Sequence, residues 1–135
     1  MDRVIIDTDI LSYFFRGDPE VLLKFKEYLE HFDFVEISLI TYYEISSGLL
    51  AKNAMKQLEV FEDFMSRNTI LPLTVNSSKI SAKIYAALRQ SGNSVDDIDL
   101  LIAGIAIEND LILVTNNVGH FGRIKDLKIQ NWKSK

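Results

Sequence analysis

The sequence has no cysteine, which excludes disulfides, thiol nucleophiles and zinc sites built on thiolate. Only two prolines, Pro19 and Pro72, and six glycines punctuate the 135 residues, and no Pro/Gly-rich linker, repeat or low-complexity segment divides them. One domain over residues 1–135 is therefore the expectation, long enough to bury a real core. No apolar run reaches the length of a bilayer span, since the longest, around Ile98–Ile107, is interrupted by Asp99. MDRVIIDTDI lacks the long apolar region and small-residue cleavage site of a signal peptide, so a cytoplasmic protein with no membrane partner is expected. Positive charge is scarce as well: 15 Lys and Arg face 19 Asp and Glu, and a net −4 disfavours a broad grip on polyanions. The exception is local. Arg123, Lys125, Lys128, Lys133 and Lys135 face the single acid Asp126, forming either a solvated basic end or a phosphate contact. Glycine-rich phosphate loops are missing, and the histidines, His31 and His120, stand in no triad-like setting and read as surface residues.

What is present alternates regularly. RVIID reads as a short buried strand, and DILSYFFRG as a helix closed by Gly17. EVLLKFKEYLEHF carries apolar residues at helical spacing, FVEIS is a strand, and LITYYEISSGLLAK is the helix after it. AMKQLEVFEDFMSRN predicts an amphipathic helix, TILPLTV a strand, and SSKISAKIYAALRQSG a helix ending at Gly92. A helix through DLLIAGIAI, a fully buried strand LILVTNN and a weaker strand LKIQNW complete the chain. This alternation predicts an α/β fold with a mostly parallel central sheet covered by helices on both faces. The DLLIAGIAI helix, apolar nearly all round, should lie deep. Sites in such folds form beyond the carboxyl ends of strands near a switch in strand order. That points to Asp7, to Asn116 and Asn117, and to the helix opened by Asp96–Asp99.

SVDDIDLLIAGIAIEND sets Asp96, Asp97 and Asp99 within four positions. Acids at a helix start are ordinarily caps or partners of the macrodipole, and Asp96 and Asp97 fit that reading. Asp99, with Ile98 and Leu100–Ile102 around it, does not. Taken alone, Asp7 is most simply an N-cap, and Asp9 is either that cap or a first-turn acid. Glu44 has mostly small helical neighbours, Thr41, Ser47 and Gly48 beside Ile40, which leave room around its carboxylate. If Asp7, Glu44, Asp97 and Asp99 converge, each pair at about 4 Å repels by roughly 4 kcal/mol at an effective dielectric near 20. Proton uptake or a divalent cation relieves that repulsion, and hard oxygen ligands that keep waters suit Mg²⁺ or Mn²⁺. The chemistry such a site supports is phosphoryl transfer with water as nucleophile.

IIDTDIL, ITYYEISSG, VDDIDLLIAGIAIENDLILVTNN and HFGRIKDLKIQNW, in this order and at this spacing, resemble PIN-domain ribonucleases, in particular the VapC-type toxins of toxin–antitoxin pairs. The resemblance covers nearly the whole chain. It implies a three-layer α/β/α sandwich, with Asp7, Glu44 and Asp99 as the core acids around Mg²⁺ or Mn²⁺ and Asp97 as a supplementary acid. Asn117 falls at a fourth position that holds Asp in many relatives, and a neutral amide there weakens the case for a second directly bound metal. Thr8 and Thr115 match hydroxyl positions that order the acids or the water. Asp9 falls where Asn is common and receives no role, while Asp96 stays a cap. The implied activity is endonucleolytic cleavage of RNA (tRNA, rRNA or mRNA), leaving a 3′-hydroxyl and a 5′-phosphate. Implied partners are a second copy, in a homodimer, and a cognate antitoxin whose tail enters the active-site groove. Half of the aromatics, Tyr13, Phe14, Phe15, Phe25, Tyr28, Phe32 and Phe34, fall in the first 34 residues, and they either build the core or leave an interface. Arg16, Lys83, Arg89 and Arg123 are candidate phosphate contacts.

VIIDTDIL also resembles the start of haloacid-dehalogenase-like phosphatases, which would use Asp7 and Asp9. Leu11 stands where that motif has Thr or Val, and the reading leaves Glu44, Asp97 and Asp99 without meaning. A catalytically silent PIN-like binding module is the other alternative, and the complete acid set argues against it. A phospho-receiver domain needs a lysine after a late strand, which TNN lacks.

Overall fold

The computed structural model describes residues 1–134. VII at Val4–Ile6 forms β1, with all three side chains buried, as an unbroken β-branched run in the middle of a sheet requires. Helices α1 (Thr8–Phe15) and α2 (Pro19–Leu29) follow, and then β2 (Glu36–Ser38). Gly17 separates the two helices at φ 76°, where a side chain would be strained. Asp18 caps α2 by accepting from Glu20 N and Val21 N, with Pro19 in the first turn where its missing N–H costs nothing. Next come α3 (Leu39–Ala51), α4 (Met55–Ser66) and β3 (Thr69–Leu71). TILPLTV does not run on as a strand: Pro72 lies just beyond Leu71, and Thr74 with Ser77 forms a reciprocal capping box that starts α5 (Val75–Gln90). The chain continues through α6 (Asp97–Glu108), β4 (Ile112–Val114), a short α7 (Val118–Phe121) and β5 (Ile129–Gln130).

All strand pairs are parallel, in the order β3-β2-β1-β4-β5. The chain therefore steps outward from β1 to β3, then crosses back to place β4 on the other side of β1. Two cores flank the sheet. Ile5 and Leu113 face Leu88, Ile102, Ile105 and Phe121 of α5, α6 and α7. Val4, Ile6 and Val114 face Leu11, Phe25, Phe61 and Met65 of α1, α2 and α4. The result is a three-layer α/β/α sandwich. α6 lies deep, as its all-round apolar sequence requires, with Ile102–Ala106 buried. Gly104 lets it approach α5, because a Cβ there would stand 2.5 Å from the Ser77 carbonyl oxygen and closer still to Ser81 Oγ.

Several expectations need correction. Of the basic tail, Lys133 is tied down rather than solvated: its Nζ lies 2.7 Å from Asp18 Oδ2, and Ser134 N donates to Glu20 Oε1 at 3.0 Å. Lys135 lies outside the described residues. Asp96 occupies the N-cap position of α6, yet among the described residues its side chain makes no capping bond. Most of the N-terminal aromatics build core: Phe25 and Tyr28 are buried under Trp132, with Phe14 stacked against Phe25 at 4.2 Å. Phe15 and Phe34 remain more than a third exposed. An unforeseen charge sits in the sheet itself, where buried Glu36 of β2 is paired with Arg3 (Nε–Oε2 3.1 Å).

Candidate active site

The switch in strand order falls between β1 and β4, and both strands end there in polar residues. Asp7 leaves β1 with its N–H still donating to Val114 O, at 2.9 Å, so its position belongs to the sheet. Its carboxylate is 5 % exposed and held from two directions: Thr8 N donates to Oδ1 at 2.8 Å and Thr115 Oγ1 to Oδ2 at 2.8 Å. Thr115 itself is fully buried and accepts from Asn117 N at 3.0 Å. Asp9, one residue into α1, accepts from Asn116 N at 3.0 Å and from Ile10 N at 2.7 Å. The first helix and the loop after β4 are thus stitched together through two aspartates.

Glu44 reaches the same edge from α3. Thr8 Oγ1 donates to Glu44 Oε1 at 2.6 Å and lies 3.0 Å from Thr41 Oγ1. Gly48, one turn on, has open space where a Cβ would stand, with nothing within 4 Å. Asp99 lies in the first turn of α6 with its side chain one-fifth exposed, and Asp97 of the same turn is exposed. Among the described residues no contact ties Asp97 to the other acids.

The electrostatics are those of acids short of counter-charge. Burial pushes the Asp7 carboxyl up from 3.8 to about 7, with the Asp9 and Asp99 charges adding and the Thr115 and Thr8 hydrogen bonds opposing. Asp9 is also raised, by burial, against the pull of the Asn116 and Ile10 N–H groups. Asp99 is raised chiefly by burial and further by the charges of Asp96 and Glu44, while His120 pulls it back. Among the described residues no lysine or arginine forms an ion pair with Asp7, Asp9, Glu44, Asp97 or Asp99. Nor do any three acidic or histidine side chains there stand close enough to hold a metal ion by themselves.

His120 lies at the surface, as the sequence reading expects, but it also belongs to the acidic edge. Its ring is half exposed, as a surface residue would be, yet Nδ1 lies 3.6 Å from Asp99 Oδ2 and 3.0 Å from Asn117 Nδ2. The signal was the spacing Asn117-x-x-His120, which faces both side chains one way only once VGHF is helical. Of the candidate phosphate contacts, Arg123 is engaged with Ser94 O at 2.9 Å, and Arg16 and Arg89 lie over Tyr13 and Tyr85.

Fold and site define a doubly wound α/β protein whose switch point is lined by carboxylates, of which the buried Asp7 and the half-buried Glu44 are braced by threonine hydroxyls. Residues 4–127 match the model of the PIN domain, and the chain belongs to the PIN-domain family. It is 31% identical to Ribonuclease VapC2 of Haemophilus influenzae over 98% of this chain and 99% of that protein. It is 30% identical to the tRNA(fMet)-specific endonuclease VapC of Shigella flexneri, over 98% of this chain and 99% of that one. Its fold is similar to that of VapBC2 from Rickettsia felis bound to a DNA fragment from their promoter (TM-score 0.86, 28% identity, 96% of this chain and 98% of that one). It is equally similar to DNA-bound VapBC from Salmonella typhimurium (TM-score 0.87, 28% identity, 98% and 100%). None of these likenesses favours the haloacid-dehalogenase alternative, and the carboxylate of Asp9 is already spent on Asn116 and Ile10.

Proposed function

We propose that this protein is a divalent-metal-dependent endoribonuclease, the toxin of a toxin–antitoxin pair, with Asp7, Glu44 and Asp99 at its centre and Asp97 and Asn117 assisting. The observation that carries the reading is Asp7: a buried carboxylate at the switch point, braced by Thr115 and Thr8, raised to about 7 and, among the described residues, without a lysine or arginine partner. Similarity over the whole chain to proteins named ribonucleases supports the same activity.

The donor set fits Mg²⁺ or Mn²⁺. Every candidate ligand is a hard oxygen, and magnesium is commonly held by one or two carboxylates, several waters and a substrate phosphate, so a closed cage of three protein ligands is not required. Asp7, Asp99 and Glu44 would hold the ion, directly or through water, and when bound it supplies Lewis acidity and a water of lowered pKa. The protein's own contribution is orientation. Thr115 fixes which Asp7 oxygen faces outward, Thr8 does the same for Glu44, and the Asn117 N–H holds Thr115 in turn.

The antitoxin partner is supported by a groove of about 520 Å³ between α1, α3 and α4, floored by Phe15, Ile45, Leu49, Val60 and Phe61 and rimmed by Arg16, Lys52 and Lys56. Three cations around an apolar trough, on a chain of net −4, suit an apolar segment with acidic flanks. A homodimer is supported by Leu39, Tyr43 and Leu50, exposed along one stripe of α3.

The deciding experiment titrates Mn²⁺ into wild type and Asp99→Asn by calorimetry and assays both on total tRNA and ribosomal RNA. Saturable binding and cleavage by wild type, both lost in the variant, are expected. Equal cleavage by the two proteins would refute the assignment.

A further inference from the structure

His120 stands at the acidic edge, 3.6 Å from Asp99, and nothing in the metal-holding role described above uses it. Its ring is fixed from the inside. Asn117 Nδ2 lies 3.0 Å from Nδ1, so this edge of the ring faces the protein. Asp99 lies against the same Nδ1 edge at 3.6 Å. Among the described residues the other ring nitrogen makes no hydrogen bond. Half of the side chain is open to solvent, against one-fifth for Asp99.

The remaining donors at this edge are largely spent. Thr115 Oγ1 is committed to Asp7, Thr8 Oγ1 to Glu44, Asn116 N to Asp9 and Asn117 N to Thr115. A phosphodiester approaching a wall of carboxylates meets like charge, and donors facing it must offset that repulsion and fix its register. We propose that His120 touches the RNA, its Nε2–H donating to a phosphate oxygen beside the bond that is cut, while Asn117 and Asp99 hold the ring in place. This rests on the nuclease reading and adds a substrate-contacting residue to it.

The test uses the full chain and a fluorophore–quencher oligoribonucleotide of mixed sequence with Mn²⁺. KM, kcat and probe binding are measured for wild type, His120→Ala and His120→Gln, and Mn²⁺ affinity is read separately by calorimetry. A hydrogen bond to a charged group predicts a roughly ten- to hundredfold rise in KM and in the binding constant for His120→Ala. Gln, which keeps a donor, should recover most of it, and Mn²⁺ affinity should stay unchanged in both variants. Unchanged KM and binding in His120→Ala, with wild type cutting normally, would overturn the contact and leave the nuclease reading standing. Loss of Mn²⁺ affinity in both variants would also overturn it, reducing His120 to a prop for Asp99. Histidine-dependent binding without cleavage by wild type would remove the nuclease reading and keep the contact. Neither binding nor cleavage by wild type would overturn both.

Discussion

Replacing Asp7 by Asn should stabilise the metal-free protein at neutral pH, and the size of the gain follows from its surroundings. The carboxyl rises from 3.8 to about 7 in the folded protein because it is 5 % exposed and faces Asp9 and Asp99. Such a displacement, at about 1.4 kcal/mol for each tenfold change in proton affinity, is worth roughly 4 kcal/mol as an upper bound. The sign follows from proton binding. Between pH 3.8 and about 7 the folded state holds a proton that the unfolded chain has released, so the group's contribution is full below 3.8 and falls as pH rises towards 7. Above 7 the native state carries a buried, uncompensated anion. Asn keeps an oxygen to accept from Thr8 N or Thr115 Oγ1 and carries no charge. Urea unfolding of both proteins in EDTA, from pH 4 to pH 8, measures the effect, since groups remote from Asp7 cancel in the difference and only Asp9 and Asp99 respond to the lost charge. The variant should gain on wild type steadily across that range, by a few kcal/mol in total. Saturating Mn²⁺ should then stabilise wild type far more than the variant. Parallel stability curves for the two proteins would refute the electrostatic account of Asp7.

Gly104→Ala should lower stability by about 1–3 kcal/mol, because the new methyl meets the Ser77 backbone, which cannot swing aside; thermal unfolding checks this. Gly48→Ala, in open space on α3, should instead raise stability by about 0.5–1 kcal/mol in the same assay. Val60→Glu, in the groove rimmed by Arg16, Lys52 and Lys56, should weaken antitoxin binding at least tenfold while leaving cleavage by the free chain intact, as measured by titration calorimetry and RNA cleavage. Tyr43→Glu, on the exposed stripe of α3, should shift sedimentation from dimer to monomer.

The elements were legible where the physics is local. VII and LILV could only be central strands, DLLIAGIAI could only be a buried helix, and Gly17 and Gly92 mark helix ends at positive φ. The acids at strand and helix starts were legible too, because a doubly wound sheet gathers those positions at one edge. Contacts between residues far apart in the chain were not. Nothing near Lys133 announces Asp18, and nothing near Arg3 announces Glu36. α7 escaped because four residues are too few to show a period, and His120 escaped with it. Asp9 escaped for a different reason: its partner is a backbone N–H at Asn116, and backbone donors leave no mark in a sequence.

The separation of 108 residues between Thr115 and Asp7 has a bearing on when activity begins. A growing chain makes Asp7, Thr8 and Glu44 early, and β1 then has only β2 beside it. The other edge of β1 stays unpaired until β4 has been synthesised and has left the ribosome. Until then Asp7 lacks the Thr115 hydroxyl and Asp9 lacks the Asn116 N–H, and His120, beyond β4 in the chain, arrives later still. A ribosome translating this message thus carries an incomplete site. The order of the strands delays the assembly of that site until most of the chain has been translated.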